Sequence, residues 1–130
     1  MSDPVFILIE EVERLHALSI ARFGGTLGVR DPGGLEAAVE QPKHTHYYGR
    51  GDLFDIAAAY AYHIAQAQAF LDGNKRTAVA AAFAFLKING VAAHFDWEGI
   101  YEAMIAIAEH RMDKQGLAAI LRESAGLSGP

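Results

Sequence analysis

Apolar residues recur with helical spacing along most of the chain. Between Leu53 and Ala69 they fall at positions 53, 54, 56, 57, 60, 61 and 64, close to a period of 3.6 residues, and Asp52 can cap the start of that helix. From Lys75 to Ile88 the apolar run is nearly continuous, which is typical of a central helix, and Asn89-Gly90 suits a left-handed C-terminal cap. The pattern therefore predicts two buried helices joined by a tight turn at residues 72–74.

The other segments predict further helices separated by short connections. Gly24-Gly25 ends a first helix, and Pro42 ends a short one. We expect an all-α fold with a single domain over residues 1–126 and a frayed tail at residues 127–130. The predicted elements are a helix from about Ile9 to Arg22, a glycine-rich loop from Thr26 to Gly34, a short helix from about Leu35 to Gln41, a polar connection from Pro42 to Gly51, an extended segment from Val91 to Phe95, and helices capped by Asp96 through Glu109 and by Asp113 through Ser124.

Composition narrows the class of protein. With 130 residues and 52% apolar content the chain can form one domain with a hydrophobic core, and its lack of cysteine excludes disulfides and thiolate chemistry. The formal net charge of −5 argues against non-specific nucleic-acid binding. Asp3 stands where a secretory signal would carry positive charge, and no stretch approaches the roughly 20 apolar residues of a membrane span. We therefore expect a cytoplasmic domain with no membrane partner and no direct nucleic-acid partner.

The turn predicted at residues 72–74 carries groups that bind phosphate. The first N–H groups of a helix lack acceptors and lie at the positive end of its dipole, and Gly73 leaves room for an anion beside them. Lys75 and Arg76 add two cations at the helix end that disfavours them unless an anion is bound. Asp72 supplies a hard oxygen ligand for Mg²⁺. An ordinary Asp-Gly turn with solvated charges is the alternative, and these residues alone do not decide between the two.

The segment around this turn, Gln-Ala-Phe-Leu-Asp-Gly-Asn-Lys-Arg-Thr at residues 68–77, resembles the motif of the Fic/Doc family. Residues 70–77 fit the Doc branch, with Leu71 at its free position. Lys75 stands where Fic enzymes have glycine and Val79 where they have a second arginine, so both positions favour Doc. The resemblance extends along most of the chain, through Leu15-His16, Arg22-Phe23-Gly24-Gly25, Arg30-Asp31-Pro32-Gly33, Tyr47-Tyr48, Phe85-Leu86 and Asn89-Gly90.

The resemblance implies a fold, an activity and a set of site residues. The fold would be a Fic/Doc-type bundle of about six helices with a short flap before the central helix pair. The activity would be that of a toxin that uses ATP with Mg²⁺ to phosphorylate a threonine of translation elongation factor Tu, which arrests translation. Asp72 would hold Mg²⁺, and Gly73 and Asn74 would form the anion cradle. Lys75 and Arg76 would neutralise charge on the phosphoryl oxygens.

Gln68 is the motif position that departs from the family. The family's histidine there takes the proton from the acceptor hydroxyl, whereas an amide takes up no proton at physiological pH. Loss of a general base costs about 10²–10⁴-fold in rate. His63 lies roughly 140° away round the same helix, so we expect it to face elsewhere. We expect this form to bind nucleotide phosphate but to transfer it poorly or not at all. A histidine codon in the gene would mark Gln68 as engineered, and a glutamine codon as natural.

The connection predicted at residues 42–51 holds further candidates. In Fic/Doc proteins this region forms a flap that holds the target segment by backbone pairing, with ordinary loop packing as the alternative here. His44 and His46 would face the same way in an extended segment, as in a metal site, but two histidines without a third ligand are more often surface residues. The candidate substrate-flap residues are Lys43, Tyr47 and Tyr48.

The resemblance also implies a protein partner. Doc toxins are neutralised by a Phd-like antitoxin whose disordered C-terminal segment folds into a helix along an apolar groove of the toxin. Arg14, His16 and Arg22 are candidate polar contacts at the edge of that groove, although a structural role is the simpler one for His16. Two alternatives to a disabled kinase remain. One is a Fic-like adenylyl transferase, which Lys75 and Val79 disfavour, and the other is a non-catalytic module that keeps only antitoxin or nucleotide binding.

Overall fold

The computed structural model of the chain describes residues 3–49, 51–91 and 96–125. These residues form six α-helices and no strand, apart from an isolated antiparallel bridge between Val29 and Phe70. The predicted all-α fold is therefore confirmed. The helices are α1 (Ile9–Phe23), α2 (Pro32–Gly49), α3 (Leu53–Ala67), α4 (Asn74–Ile88), α5 (Trp97–Ala108) and α6 (Lys114–Ser124).

Helices α3 and α4 form the centre of the bundle. α3 packs against α2, α4 and α6, and α4 also contacts α1 and α5. Seven of the fifteen buried residues of α3 and α4 are alanines, such as Ala57 and Ala81, and small side chains let two helices approach closely. Tyr60 of α3 and Phe85 of α4 fill the remaining space, with ring centroids 5.3 Å apart. The predicted pair of buried central helices is confirmed.

Two helix starts follow from side-chain caps that the sequence predicts. The Asp52 carboxylate accepts hydrogen bonds from the N–H groups of Phe54 and Asp55 at the start of α3, at 3.0 and 2.9 Å. Asp113 does the same for α6, where Gly116 N–H donates at 2.8 Å. Each bond satisfies a donor that the helix itself leaves without an acceptor. Asp52 therefore fixes the N-terminus of α3, and the turn that leads to α4 lies at the other end of this helix.

Helix α2 differs from the prediction at both ends. It begins at Pro32, because proline is favoured in the first helical turn and the Asp31 carboxylate accepts a hydrogen bond from Gly34 N–H at 3.0 Å. It continues through Pro42 to Gly49, so the predicted stop before Pro42 is wrong. Proline inside a helix removes one backbone hydrogen bond, and the burial of the Pro42 side chain offsets that loss.

The other predicted helices differ from the observed ones only at their ends. α1 ends one residue beyond Arg22, and α5 ends at Ala108, one residue before Glu109. Gly90, at φ 87°, adopts the left-handed conformation expected after α4. The extended segment predicted at 91–95 and the frayed tail predicted at 127–130 lie almost entirely outside the described residues. In the part of the chain described, no helix is both long and apolar enough to span a membrane.

Candidate active site

The chain between α3 and α4, residues 68–74, forms a closed turn that we call the motif turn. Gln68 leaves α3 in the left-handed conformation, with φ 46° and ψ 43°, and Gly73 has φ 74°. The Asn74 amide closes the turn, because its oxygen accepts from Phe70 N–H and its nitrogen donates to the Phe70 carbonyl, both at 3.0 Å. The side chain of Asn74 therefore shapes the turn, and only its backbone N–H is left for the cradle predicted there.

The N-terminus of α4 presents N–H groups without acceptors. The first internal bond of this helix runs from Thr77 N–H to the Gly73 carbonyl, at 3.0 Å. The N–H groups of Asn74, Lys75 and Arg76 precede that bond and have no hydrogen-bond acceptor among residues 3–49, 51–91 and 96–125. They lie at the positive end of the helix dipole. This arrangement favours an anion at the turn.

Two cations and one carboxylate surround these N–H groups. Within the described part of the chain, neither Lys75 nor Arg76 forms an ion pair, and the Arg76 guanidinium lies 4.8 Å from the ring centroid of Phe23. The Asp72 carboxylate accepts from Thr26 N–H at 3.3 Å and from Gly73 N–H at 2.9 Å. These bonds orient the carboxylate and leave it further lone pairs, so it can still bind a hard cation.

The motif turn opens into a cavity of about 540 Å³, within the range of cofactor sites. The structure brings Gln68, Asp72, Gly73, Asn74, Lys75 and Arg76 together at this cavity. Helix α5 and the segment after it also line the cavity, which sequence reasoning missed because only the fold brings α5 to this position. These further lining residues are Tyr101, Met104, Ile107, Ala108 and His110.

An extended segment before α2 runs along the motif turn. Arg30 N–H donates to the Ala69 carbonyl at 2.7 Å, and Leu71 N–H donates to the Gly28 carbonyl at 3.0 Å. The Arg30 guanidinium also donates to the Gln68 carbonyl at 2.5 Å. These bonds fix the backbone on both sides of Phe70. Sequence reasoning missed this contact, and the only available signal was the resemblance at residues 30–33.

His16 of α1 packs against the motif turn and donates a hydrogen bond to it. Its side chain is buried, its ring stacks on Phe70 with centroids 3.9 Å apart and planes 9° apart, and its Nε2 donates to the Asp72 carbonyl at 2.8 Å. The structural role expected for His16 is confirmed. The predicted polar contact of His16 at a groove edge is wrong, because burial removes the ring from the surface. Arg14 and Arg22 lie exposed on α1.

The flap expected at residues 42–51 is wrong in its conformation, since residues 42–49 belong to α2. None of the three predicted flap residues lines the described cavity. Lys43 pairs with Glu40 at 3.2 Å, the Tyr47 hydroxyl donates to the Asp3 carboxylate at 3.2 Å, and Tyr48 is 84% exposed. Backbone pairing with the motif turn comes from residues 28–31.

The remaining histidine predictions concern His44, His46 and His63. In a helix two residues two positions apart lie about 200° apart, so His44 and His46 do not share a face. The described residues include no group of three or more side chains that could hold a metal ion. His63 lines no part of the described cavity, as expected, and its Nε2 accepts from Lys114 Nζ at 3.0 Å. Burial, together with the Lys114 charge, lowers the pKa of His63 to about 4.

The fold and this site define a helical domain with a cavity at a turn whose N–H groups and cations favour an anion. The chain matches the Fic/DOC family over residues 6–86. It is 46% identical over 119 residues to "Toxin Doc" of Mycolicibacterium smegmatis, covering 87% of this chain and 89% of that protein. It is 35% identical over 118 residues to "Protein kinase doc" of Escherichia phage P1, covering 90% of this chain and 93% of that protein. The chain therefore belongs to the Fic/Doc family, and the resemblance seen in its motif is confirmed.

Proposed function

We propose that this chain is a Doc-type toxin with the site of a protein kinase, and that Gln68 leaves it inactive or impaired. Its target would be a threonine of translation elongation factor Tu in the cytoplasm, and its phosphate donor would be ATP with Mg²⁺. Two relatives support this class, because one is named a toxin and the other a protein kinase. The elongation factor and its threonine follow from the resemblance to Doc toxins.

The N-terminus of α4 is the observation that carries this proposal. Three backbone N–H groups lack acceptors there, and Lys75 and Arg76 have no acidic partner among the described residues. Two cations at this end of a helix oppose its dipole in the free protein. A polyphosphate would satisfy the N–H groups and both cations together.

The residues of the motif turn fit ATP with Mg²⁺ in their chemistry. Lys75, Arg76 and the free N–H groups would bind phosphoryl oxygens, and Asp72 would hold the metal. Bound Mg²⁺ would neutralise charge on the phosphates and orient them. The chain itself keeps these groups in place, since Asn74 closes the turn and Thr26 orients the Asp72 carboxylate.

Gln68 lies at the cavity beside the phosphate-binding groups, with an exposed side chain. Its amide can bind a hydroxyl but cannot remove the proton of that hydroxyl. The left-handed backbone at this position tolerates histidine better than most side chains, so Gln68→His should preserve the turn. We expect this substitution to raise the rate of phosphate transfer by about 10²–10⁴-fold.

The test incubates the parent protein and the Gln68→His variant with ATP, Mg²⁺ and elongation factor Tu. Mass spectrometry then identifies the group added to the factor, and induction in growing cells measures growth arrest. Gln68→Asn is the matched control, because asparagine also tolerates the left-handed conformation but takes up no proton. If Gln68→His gains neither phosphorylation nor growth arrest, the kinase proposal fails and a non-catalytic module is favoured.

The same experiment addresses the adenylyl transferase alternative. A mass increase equal to AMP, in place of phosphate, would assign the chain to that activity. Lys75 at the position of the Fic glycine favours phosphate, and so does Val79, which is fully buried and places no second cation at the site.

We also propose a Phd-like antitoxin as the protein partner, bound through its C-terminal segment. This binding needs no proton acceptor, so it should persist in the chain as it stands. Titration of a peptide of that segment into the parent and the Gln68→His variant should give equal affinities. Binding by neither form would refute this partner without affecting the kinase proposal.

A further inference from the structure

Two residues other than glycine adopt the left-handed conformation in the described part of the chain, and both line the same cavity. They are Gln68, at φ 46°, and His110, at φ 61°. Gln68 belongs to the motif turn, whereas His110 follows the end of α5. Backbone conformations that disfavour a side chain cluster at functional sites, where the side chain has a task that outweighs its cost. Among the described residues, no hydrogen bond or ring contact gives the His110 side chain such a task.

His110 occupies a position where folding alone favours glycine. Its N–H donates to the Ile107 carbonyl at 3.0 Å, and Arg111 N–H donates to the Ala106 carbonyl at 2.7 Å. This pair of bonds is the Schellman motif that ends many helices, and the residue in the position of His110 is most often glycine because it must be left-handed. The backbone makes both bonds without help from the imidazole. A glycine would end α5 equally well and with less strain.

The imidazole of His110 is exposed, so its ring nitrogens are available to a ligand. It has no hydrogen-bond or ring partner among residues 3–49, 51–91 and 96–125, while its neighbours Glu109 and Arg111 pair with each other. The other described histidines are placed elsewhere. His16 is buried under the motif turn, and His63 accepts a hydrogen bond from Lys114. Among the described residues that line the cavity, His110 is the one histidine, and Gln68 of the motif turn lines the same cavity.

We propose that His110 is the proton acceptor of this chain, in the place of the base that Gln68 cannot supply. The inference rests on the proposed phosphate transfer. An imidazole nitrogen of His110 takes the proton of the acceptor hydroxyl as that oxygen forms a bond to the terminal phosphorus of ATP. The bond from that phosphorus to the bridging oxygen breaks, ADP leaves with the electron pair, and His110 later releases its proton to water. The chain would then be a slow kinase, and the residual rate would belong to His110.

The experiment measures the initial rate of elongation factor Tu phosphorylation for the parent, His110→Gly and His110→Asn, with ATP affinity as a check on folding. Glycine suits the left-handed position, and asparagine tolerates it while taking up no proton. Both variants should keep the parent's ATP affinity and lose its residual rate, about 10²-fold or down to the background. Added imidazole should restore the rate of His110→Gly, because the small residue leaves space for the free base. His44→Asn, an exposed histidine on α2, should keep the parent rate.

Gln68→His separates this inference from the proposed function. If Gln68→His phosphorylates the factor while His110→Gly retains the parent rate, the proposed function stands and the role of His110 is refuted. A parent rate no higher than that of a reaction without protein also refutes it. If Gln68→His transfers no phosphate, the proposed function fails, and the role of His110 fails with it. In the Gln68→His background, removal of His110 should change the rate by no more than a few-fold, because the motif base is then present.

Discussion

Replacing His16 by leucine tests how the motif turn is held in place. His16 contributes two separate contacts, a hydrogen bond of 2.8 Å to the Asp72 carbonyl and a ring stack on Phe70 with centroids 3.9 Å apart. Leucine keeps the apolar bulk and removes both contacts. Glutamine keeps an N–H donor at a similar reach and removes only the stack. The pair of variants therefore separates the hydrogen bond from the packing.

The magnitudes follow from the burial of His16, whose side chain is 3% exposed. A hydrogen bond contributes about 1 kcal/mol net, and an aromatic pair contributes about 0.5–1.5 kcal/mol beyond its buried area. His16→Leu should therefore lower the free energy of unfolding by about 2 kcal/mol, and His16→Gln by about 1 kcal/mol. The affinity for MgATP should fall roughly three- to tenfold in His16→Leu, because the Asp72 carbonyl is released, and should stay close to the parent value in His16→Gln.

Urea unfolding, followed by far-ultraviolet circular dichroism and extrapolated to water, gives the stability of each variant. Titration with MgATP gives the affinity. The decisive comparison is between the two variants, since a purely packing role would weaken both in stability and neither in affinity. Equal MgATP affinities for the parent and His16→Leu would refute the idea that His16 positions the turn.

Three further predictions concern the acid stability of the fold and the electrostatics of the site. His63 has its pKa lowered to about 4, so the unfolded state takes up the proton first as pH falls from about 6.5. The unfolding free energy should drop by about 1–2 kcal/mol between pH 6.5 and 4 after allowance for solvent exposure, and urea unfolding of His63→Gln should show a smaller drop. Gly25→Ala should weaken MgATP binding in calorimetric titrations, because a Cβ at that position would lie 2.7 Å from Asp72 Oδ2. Gly24→Ala is the control, because Gly24 also has a positive φ but has open space around its Cβ. Lys75→Glu should abolish MgATP binding. It should also raise the unfolding free energy by about 0.5 kcal/mol, because an acidic side chain suits the start of α4. A Lys75→Glu variant that is less stable than the parent would contradict an anion-binding role for Lys75.

Local sequence patterns predicted the central helices and failed where packing decided the outcome. The alternation of apolar residues in α3 and the caps at Asp52 and Asp113 are local signals, and the structure follows them. Pro42 is also a strong local signal, but it is buried and α2 continues through it. The connection predicted at residues 42–51 was wrong for the same reason, because residues 42–49 belong to α2.

The residues of the candidate site also fall into two groups, one contiguous in sequence and one brought in from distant parts of the chain. The motif turn is contiguous in sequence, so its candidate phosphate-binding groups could be named from the motif. His16 contacts Asp72 across 56 residues, and Arg30 contacts Gln68 across 38 residues. His110 lines the same cavity from beyond the end of α5, 42 residues after Gln68 in sequence. Such contacts depend on how the helices pack, and no spacing along the chain encodes them.

The residues of the motif turn differ in what explains their presence. Gly73 is required by its positive φ, and Asn74 by the two hydrogen bonds that close the turn, so folding alone accounts for both. Folding accounts less well for Lys75 and Arg76, which have no acidic partner in the described chain and oppose the helix dipole, although the Arg76 guanidinium contacts the Phe23 ring. These two cations are therefore the strongest indication that the site still binds an anion. Because anion binding and proton removal depend on different residues, a chain can keep the first while Gln68 removes the usual means of the second.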